Sequence, residues 1–90
     1  MEFEWDENKA KNNLQKHGID FEDAIGVFEG AVLEIRSDRD GEERYEAIGV
    51  LNGREIVVVY TPRPGRYRII SARKATKHER ITYHQAHPPG

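Results

Sequence analysis

Asn52-Gly53 lies between two apolar runs, Arg44–Leu51 and Arg54–Thr61, and nothing else in the chain restricts the fold as much. A two-residue Asn-Gly loop takes positive φ at both positions, and its twist matches that of the strands it joins. The middle of the chain is therefore a β-hairpin. A second turn, Pro62-Arg63-Pro64-Gly65, leads into a further strand at about 66–73. Upstream, Ala31–Arg36 reads as a strand that ends in the polar turn Asp38-Arg39-Asp40-Gly41. Together these give an antiparallel meander of about four strands.

Helices flank the meander. Asp6 caps a first helix over about 6–17, which stops at Gly18. Ala10, Leu14 and His17 fall on one stripe of it, and Lys9, Asn13 and Lys16 on an adjoining one. Asp20 caps a second helix over about 21–28, with Phe21, Ala24, Ile25 and Phe28 as its buried face and Gly30 closing it. Phe3-Glu4-Trp5 alternates like a short edge strand, with Trp5 as a core anchor. A final helix spans Ala75 to Gln85, and Pro88-Pro89 ends it. That last helix is polar apart from Ile81 and Tyr83, so it packs lightly or awaits a covering partner. The order is α+β, and 90 residues make one small domain, 1–90.

Charge is divided unevenly. Residues 51–90 carry eight Lys/Arg against two Asp/Glu, and residues 1–50 carry six against fourteen. The formal net charge of −2 conceals this split. Arg63, Arg66, Arg68, Arg73 and Arg80 fall within the basic half. A guanidinium fork matches phosphate oxygens and stays charged, so the basic half points to a phosphate-rich partner, above all nucleic acid. Internal pairing with the acidic half is the competing reading. The sequence pI near 6.1 weighs against polyanion binding unless the arginines segregate to one face. If they are interspersed with Glu and Asp, the chain is a weak nuclease or a binding module.

Several chemistries are excluded. With no cysteine there is no disulfide, thiolate metal site or cysteine nucleophile, as suits a reducing cytoplasm. The longest apolar run, Ile56–Tyr60, is strand length, far below the roughly 20 residues that span a bilayer. The acidic start, Met1–Asp6, lacks a secretory pattern. His78, His84 and His87 lie in a polar tail without a carboxylate among them, so no metal or cofactor is expected.

An ordered set of short motifs then becomes recognisable. Trp5-Asp6, Lys9, Asn13, Lys16-His17-Gly18, Phe21, Ala24 and Val27-Phe28 resemble the opening of the BrnT toxins. Gly41-Glu42-Glu43-Arg44-Tyr45, Gly49 and Arg54 fit the middle of that pattern. Arg68–Arg73, Ala75-Thr76, Glu79-Arg80 and Tyr83 fit its end. The resemblance implies a RelE-like fold and ribonuclease activity. It also implies a BrnA-like ribbon-helix-helix antitoxin as partner, with operator DNA reached only through that antitoxin.

Metal-free RNA cleavage uses the ribose 2′-hydroxyl as nucleophile. It needs a base, cations for the phosphorane-like transition state, and an acid for the leaving 5′-oxygen. Arg63, Arg68 and Arg73 are the candidate cations. On an ideal strand Arg68 and Arg73 have opposite parity and point to opposite faces unless the strand bends. His17 fits either proton transfer or a helix-end cap. Glu43 and Tyr83 are alternatives, with Arg80 sharing a helical face with Thr76 and Tyr83. Lys9, Lys16, Arg44 and Arg66 are the remaining candidate contacts to RNA. The expectation is a single pocket of guanidiniums free to grip a phosphodiester. A non-catalytic antitoxin-binding subunit acting in operon autorepression is the alternative.

Overall fold

The computed structural model describes residues 1–88, so Pro89 of the expected terminal Pro-Pro lies outside the described residues. The elements run β1 (Glu2–Glu4), α1 (Glu7–His17), α2 (Phe21–Ala24), a 3-10 helix (Ile25–Glu29), β2 (Leu33–Arg36), β3 (Tyr45–Leu51), β4 (Arg54–Arg63), β5 (Arg66–Lys74) and α3 (Lys77–Ala86). No helix among them is long and apolar enough to cross a membrane.

Five strands form one sheet in the order β1-β5-β4-β3-β2. The expected antiparallel meander is present as β2 to β5, joined through Asn52-Gly53 with φ of 51° and 78°. The sheet is nevertheless mixed, which corrects the all-antiparallel reading. β1 pairs in parallel with β5, placing Phe3 opposite Tyr67 and Glu4 opposite Arg68. Aromatic packing holds this strand in place: the Phe3 ring lies 5.4 Å from Phe28 and 6.0 Å from Tyr67.

The second helix also differs from expectation. It makes one α-helical turn and then tightens to 3-10 geometry. Its buried residues are Phe21, Ala24 and Val27, a period of three, and Phe28 is only half-buried. In α1 the inward stripe is Ala10, Asn13 and His17, while Leu14 is 48% exposed. Asn13 takes the buried place because its amide can pair with main chain. Nδ2 donates to the carbonyls of Ile19 and Ala72 at 2.9 Å, and Oδ1 accepts from the Ala72 N–H at 3.0 Å. Thus α1 closes the stretch of β5 that the short β1 leaves unpaired.

The sheet is covered unequally. On one face α1, α2 and the 3-10 helix bury Phe21, Ala24, Val27, Ala47, Ile56, Val58, Tyr60, Ile69 and Ala72. On the other, α3 lies over Ile48, Val57 and Leu33 through Ala75 and Tyr83. These residues flank the Asn52-Gly53 turn, so the end nearer Pro64-Gly65 is left open. Thr76 and Glu79 form a capping box that starts α3 two residues later than expected.

Candidate nucleic-acid interface

One irregularity organises the arginines. Along β4 and β5, Val59 pairs with Ser71 but Tyr60 pairs with Ile69, so Ile70 is an extra residue on β5. This β-bulge shifts the parity of the strand beyond it. Arg66, Arg68 and Arg73 lie opposite Arg63, Thr61 and Val57. Those β4 residues alternate onto one face, and directly opposed residues share a face. The bulge therefore brings Arg63, Arg66, Arg68 and Arg73 onto the same open face, resolving the parity conflict of the ideal strand. Arg44 joins them through Glu42, whose Oε1 also accepts from the Thr61 hydroxyl at 3.1 Å.

Every one of these guanidiniums has a carboxylate neighbour, which corrects the expectation of a freely charged pocket. Glu4 Oε1 lies 2.8 Å from Arg66 Nε, and Glu4 Oε2 lies 2.7 Å from Arg68 Nη1. Glu42 meets Arg44 at 3.1 Å and Arg63 at 3.6 Å. Arg73 binds Glu79 through two nitrogens at 2.8 and 2.9 Å and approaches Glu46 at 3.9 Å. The Glu4 and Glu42 carboxyls are held below the ordinary carboxylate range, chiefly by hydrogen bonds from Arg68 and Arg44 respectively. Ion pairs this exposed to solvent are individually weak and exchange readily for a better anion.

Arg73 differs from the rest. Its double hydrogen bond lowers the Glu79 carboxyl from 4.5 to about 2. Glu79 also accepts from the Thr76 N–H at 2.8 Å, so the pair fastens the start of α3 to β5. Arg73 acts here as a structural clamp beside the open face.

The other predicted residues stand elsewhere. Tyr83 is 6% exposed, and its hydroxyl donates to the Ala31 carbonyl at 2.9 Å, so it is committed to holding α3. Arg80 donates to the Ala75 carbonyl and lines the outer side of α3 with Glu55, Ile81 and His84. His17 lies with Lys9, Lys16, Asn12 and Ser71 in a cleft along α1 that none of the arginines lines. Glu43 accepts from the Tyr45 hydroxyl at 2.7 Å. Trp5 packs on Phe21, as expected of a core anchor, and the ring of Tyr67, which lies between Arg66 and Arg68 in the chain, stacks on Tyr60 at 4.0 Å. His84 pairs with Glu55 and His87 with the Val32 carbonyl, and no metal-binding cluster occurs among the described residues.

The sequence reading missed the carboxylates of the open face. Two signals were present: the alternation Glu2-Phe3-Glu4, which sets both acids on the face opposite Phe3, and the Thr76-x-x-Glu79 capping box.

A five-stranded mixed sheet, with α1, α2 and the 3-10 helix on one face and α3 beside an arginine-bearing open area on the other, defines a small α+β protein. A family scan matches residues 5–79 to the ribonuclease toxin BrnT of type II toxin–antitoxin systems. The chain belongs to that family. It is also similar to the crystal structure of the Brucella abortus ribonuclease toxin BrnT, with 34% identity and a TM-score of 0.71. That match covers 86% of this chain and 99% of the Brucella chain. No curated protein sequence matches.

Proposed function

We propose that this chain is a metal-independent endoribonuclease toxin whose open sheet face holds the RNA backbone. The observation that carries the reading is the pairing of β4 with β5, which sets Arg63 opposite Arg66 and Thr61 opposite Arg68, so that the three guanidiniums share one face, with Arg44 joined to Arg63 through Glu42. Four guanidiniums across a rigid sheet suit the charge that develops on a phosphorane-like transition state. In this reading Arg68 is the principal cation, being the least exposed of Arg63, Arg66 and Arg68. The 2′-hydroxyl oxygen attacks the phosphorus, and the P–O5′ bond breaks with the departing 5′-oxygen protonated by solvent water. As the attack proceeds, the 2′-hydroxyl proton goes to a carboxylate of the same face. Glu46 fits that role best, since it meets Arg73 only at 3.9 Å while Glu4, Glu42 and Glu79 each accept closer hydrogen bonds. His17 and Tyr83 have no part in the chemistry. The partner that neutralises the toxin is a BrnA-like ribbon-helix-helix antitoxin, which covers the arginine face and connects the pair to operator DNA, all in the cytoplasm.

The test is purified protein incubated with total RNA in chelator. Cleavage by the wild type, reduced on the order of 10²-fold in folded Arg68→Ala, is the expected outcome. A second reading is a non-catalytic antitoxin-binding subunit, favoured by the carboxylate beside every arginine of the face. RNA left intact at all protein concentrations, with antitoxin still bound, selects it.

A further inference from the structure

Two guanidiniums converge on one carboxylate at the open corner of the sheet. Arg66 Nε and Arg68 Nη1 approach the two oxygens of Glu4 at 2.8 and 2.7 Å. Arg63 lies opposite Arg66 across the Pro64-Gly65 turn and adds its field to the same carboxylate. Glu4 is delivered there by construction. It is the last residue of β1, in register with Arg68, and Phe3 beside it is fixed on Phe28 and Tyr67. The side chains of Glu4, Arg66 and Arg68 are 30%, 52% and 36% exposed, so solvent and solutes reach the cluster. A carboxylate and a phosphodiester both offer two oxygens to such forks, and the phosphate has the freedom to approach both at once.

We propose that the Glu4 carboxylate occupies a phosphate subsite, which it fills as an internal mimic until an RNA backbone phosphate displaces it. The proposal rests on the reading of the open face as an RNA interface. It adds a specific position for one phosphate, formed by Arg66 and Arg68, and a competitor that sets affinity. Glu4 precedes the family-matched span of residues 5–79, so the family assignment does not bear on it. Each phosphate that binds must first release a like-charged group.

The experiment measures binding of a 2′-O-methyl oligoribonucleotide, which cannot be cleaved through its 2′ position, by fluorescence anisotropy over a range of salt. Glu4→Gln should tighten binding about tenfold at low salt and steepen the log–log salt slope by about 0.7 to 1.4, as one or two more phosphates become neutralised. Adding Arg68→Ala to Glu4→Gln should remove the gain. Unchanged or weaker binding by folded Glu4→Gln overturns the proposal. If Glu4→Gln does not fold, Glu4→Asp serves, since its shorter side chain withdraws from the fork; a smaller gain supports the proposal and no gain overturns it. Cleavage of natural RNA by the wild type is scored separately. Cleavage without a Glu4 effect removes the subsite alone, and a Glu4 effect without cleavage removes the ribonuclease reading alone.

Discussion

Asn13 shows how much one polar side chain can hold. Its amide serves both the N–H and the carbonyl of Ala72 and a carbonyl of the loop after α1, while being 6% exposed. Asn13→Ala should cost about 2–4 kcal/mol, because main-chain groups of Ala72 lose their partners inside the fold. Urea titration checks this, and a loss below about 0.5 kcal/mol would show that water replaces the amide. Gly49 is a second fixed point. A Cβ there would stand 2.7 Å from the Val27 Cβ, so Gly49→Ala should destabilise by about 1–3 kcal/mol through overpacking. Sequence pattern placed Asn13 beside the lysines of α1 because helical periodicity ranks Leu14 as the inward residue. What reversed the order was the unpaired backbone of β5, and such a demand for hydrogen bonds is invisible until the strands are assembled.

At the scale of elements, the bulge and the α3 clamp make separate predictions. Deleting Ile70 restores regular pairing and moves either Arg73 or the Arg66–Arg68 segment to the opposite face. RNA cleavage by that variant should fall to background even where circular dichroism still reports a sheet. Persistent cleavage would show that the phase of Arg66 and Arg68 relative to Arg73 does not matter to the reaction. The clamp governs α3. Because the Glu79 carboxyl is lowered to about 2, its contribution is complete above the ordinary value of 4.5 and is lost as pH falls through about 2. Glu79→Gln should therefore cost about 1.5–3 kcal/mol at neutral pH and almost nothing at pH near 2, as acid titration of stability would show. Arg73→Ala should loosen α3 by a similar amount, so loss of toxicity in that variant would not by itself identify a catalytic group. The hairpin, the helix starts at Asp6 and Asp20 and the α+β order were legible from local chemistry. The bulge was not, since Arg68–Arg73 reads as an unbroken strand and only the pairing with β4 reveals the extra residue.

For the whole molecule, the split of charge along the sequence does not survive as a split in space. Acidic residues from the first half, Glu4, Glu42 and Glu46, lie among arginines of the second. Pairing of the arginines with the acidic half was legible as the competing reading of the charge split, but the particular partners Glu4, Glu42 and Glu79 were not, because Glu4 and Glu42 reach their arginines only through long-range pairing of strands. If the open face is a toxin surface, expression of the chain alone should arrest growth, and Arg68→Ala should relieve the arrest with the protein still folded. Normal growth on wild-type expression would count against toxicity. The parallel pairing of β1 also bears on the order of assembly. It joins residues 64 positions apart, as Glu4 and Arg68 are, whereas β3, β4 and β5 are linked by two-residue turns. Closing the long loop costs more entropy than closing either hairpin. Loop-closure entropy therefore favours forming the hairpins before β1 docks, and until β1 docks Arg66 and Arg68 have no Glu4 beside them. The step that completes the sheet is also the step that quiets its charge.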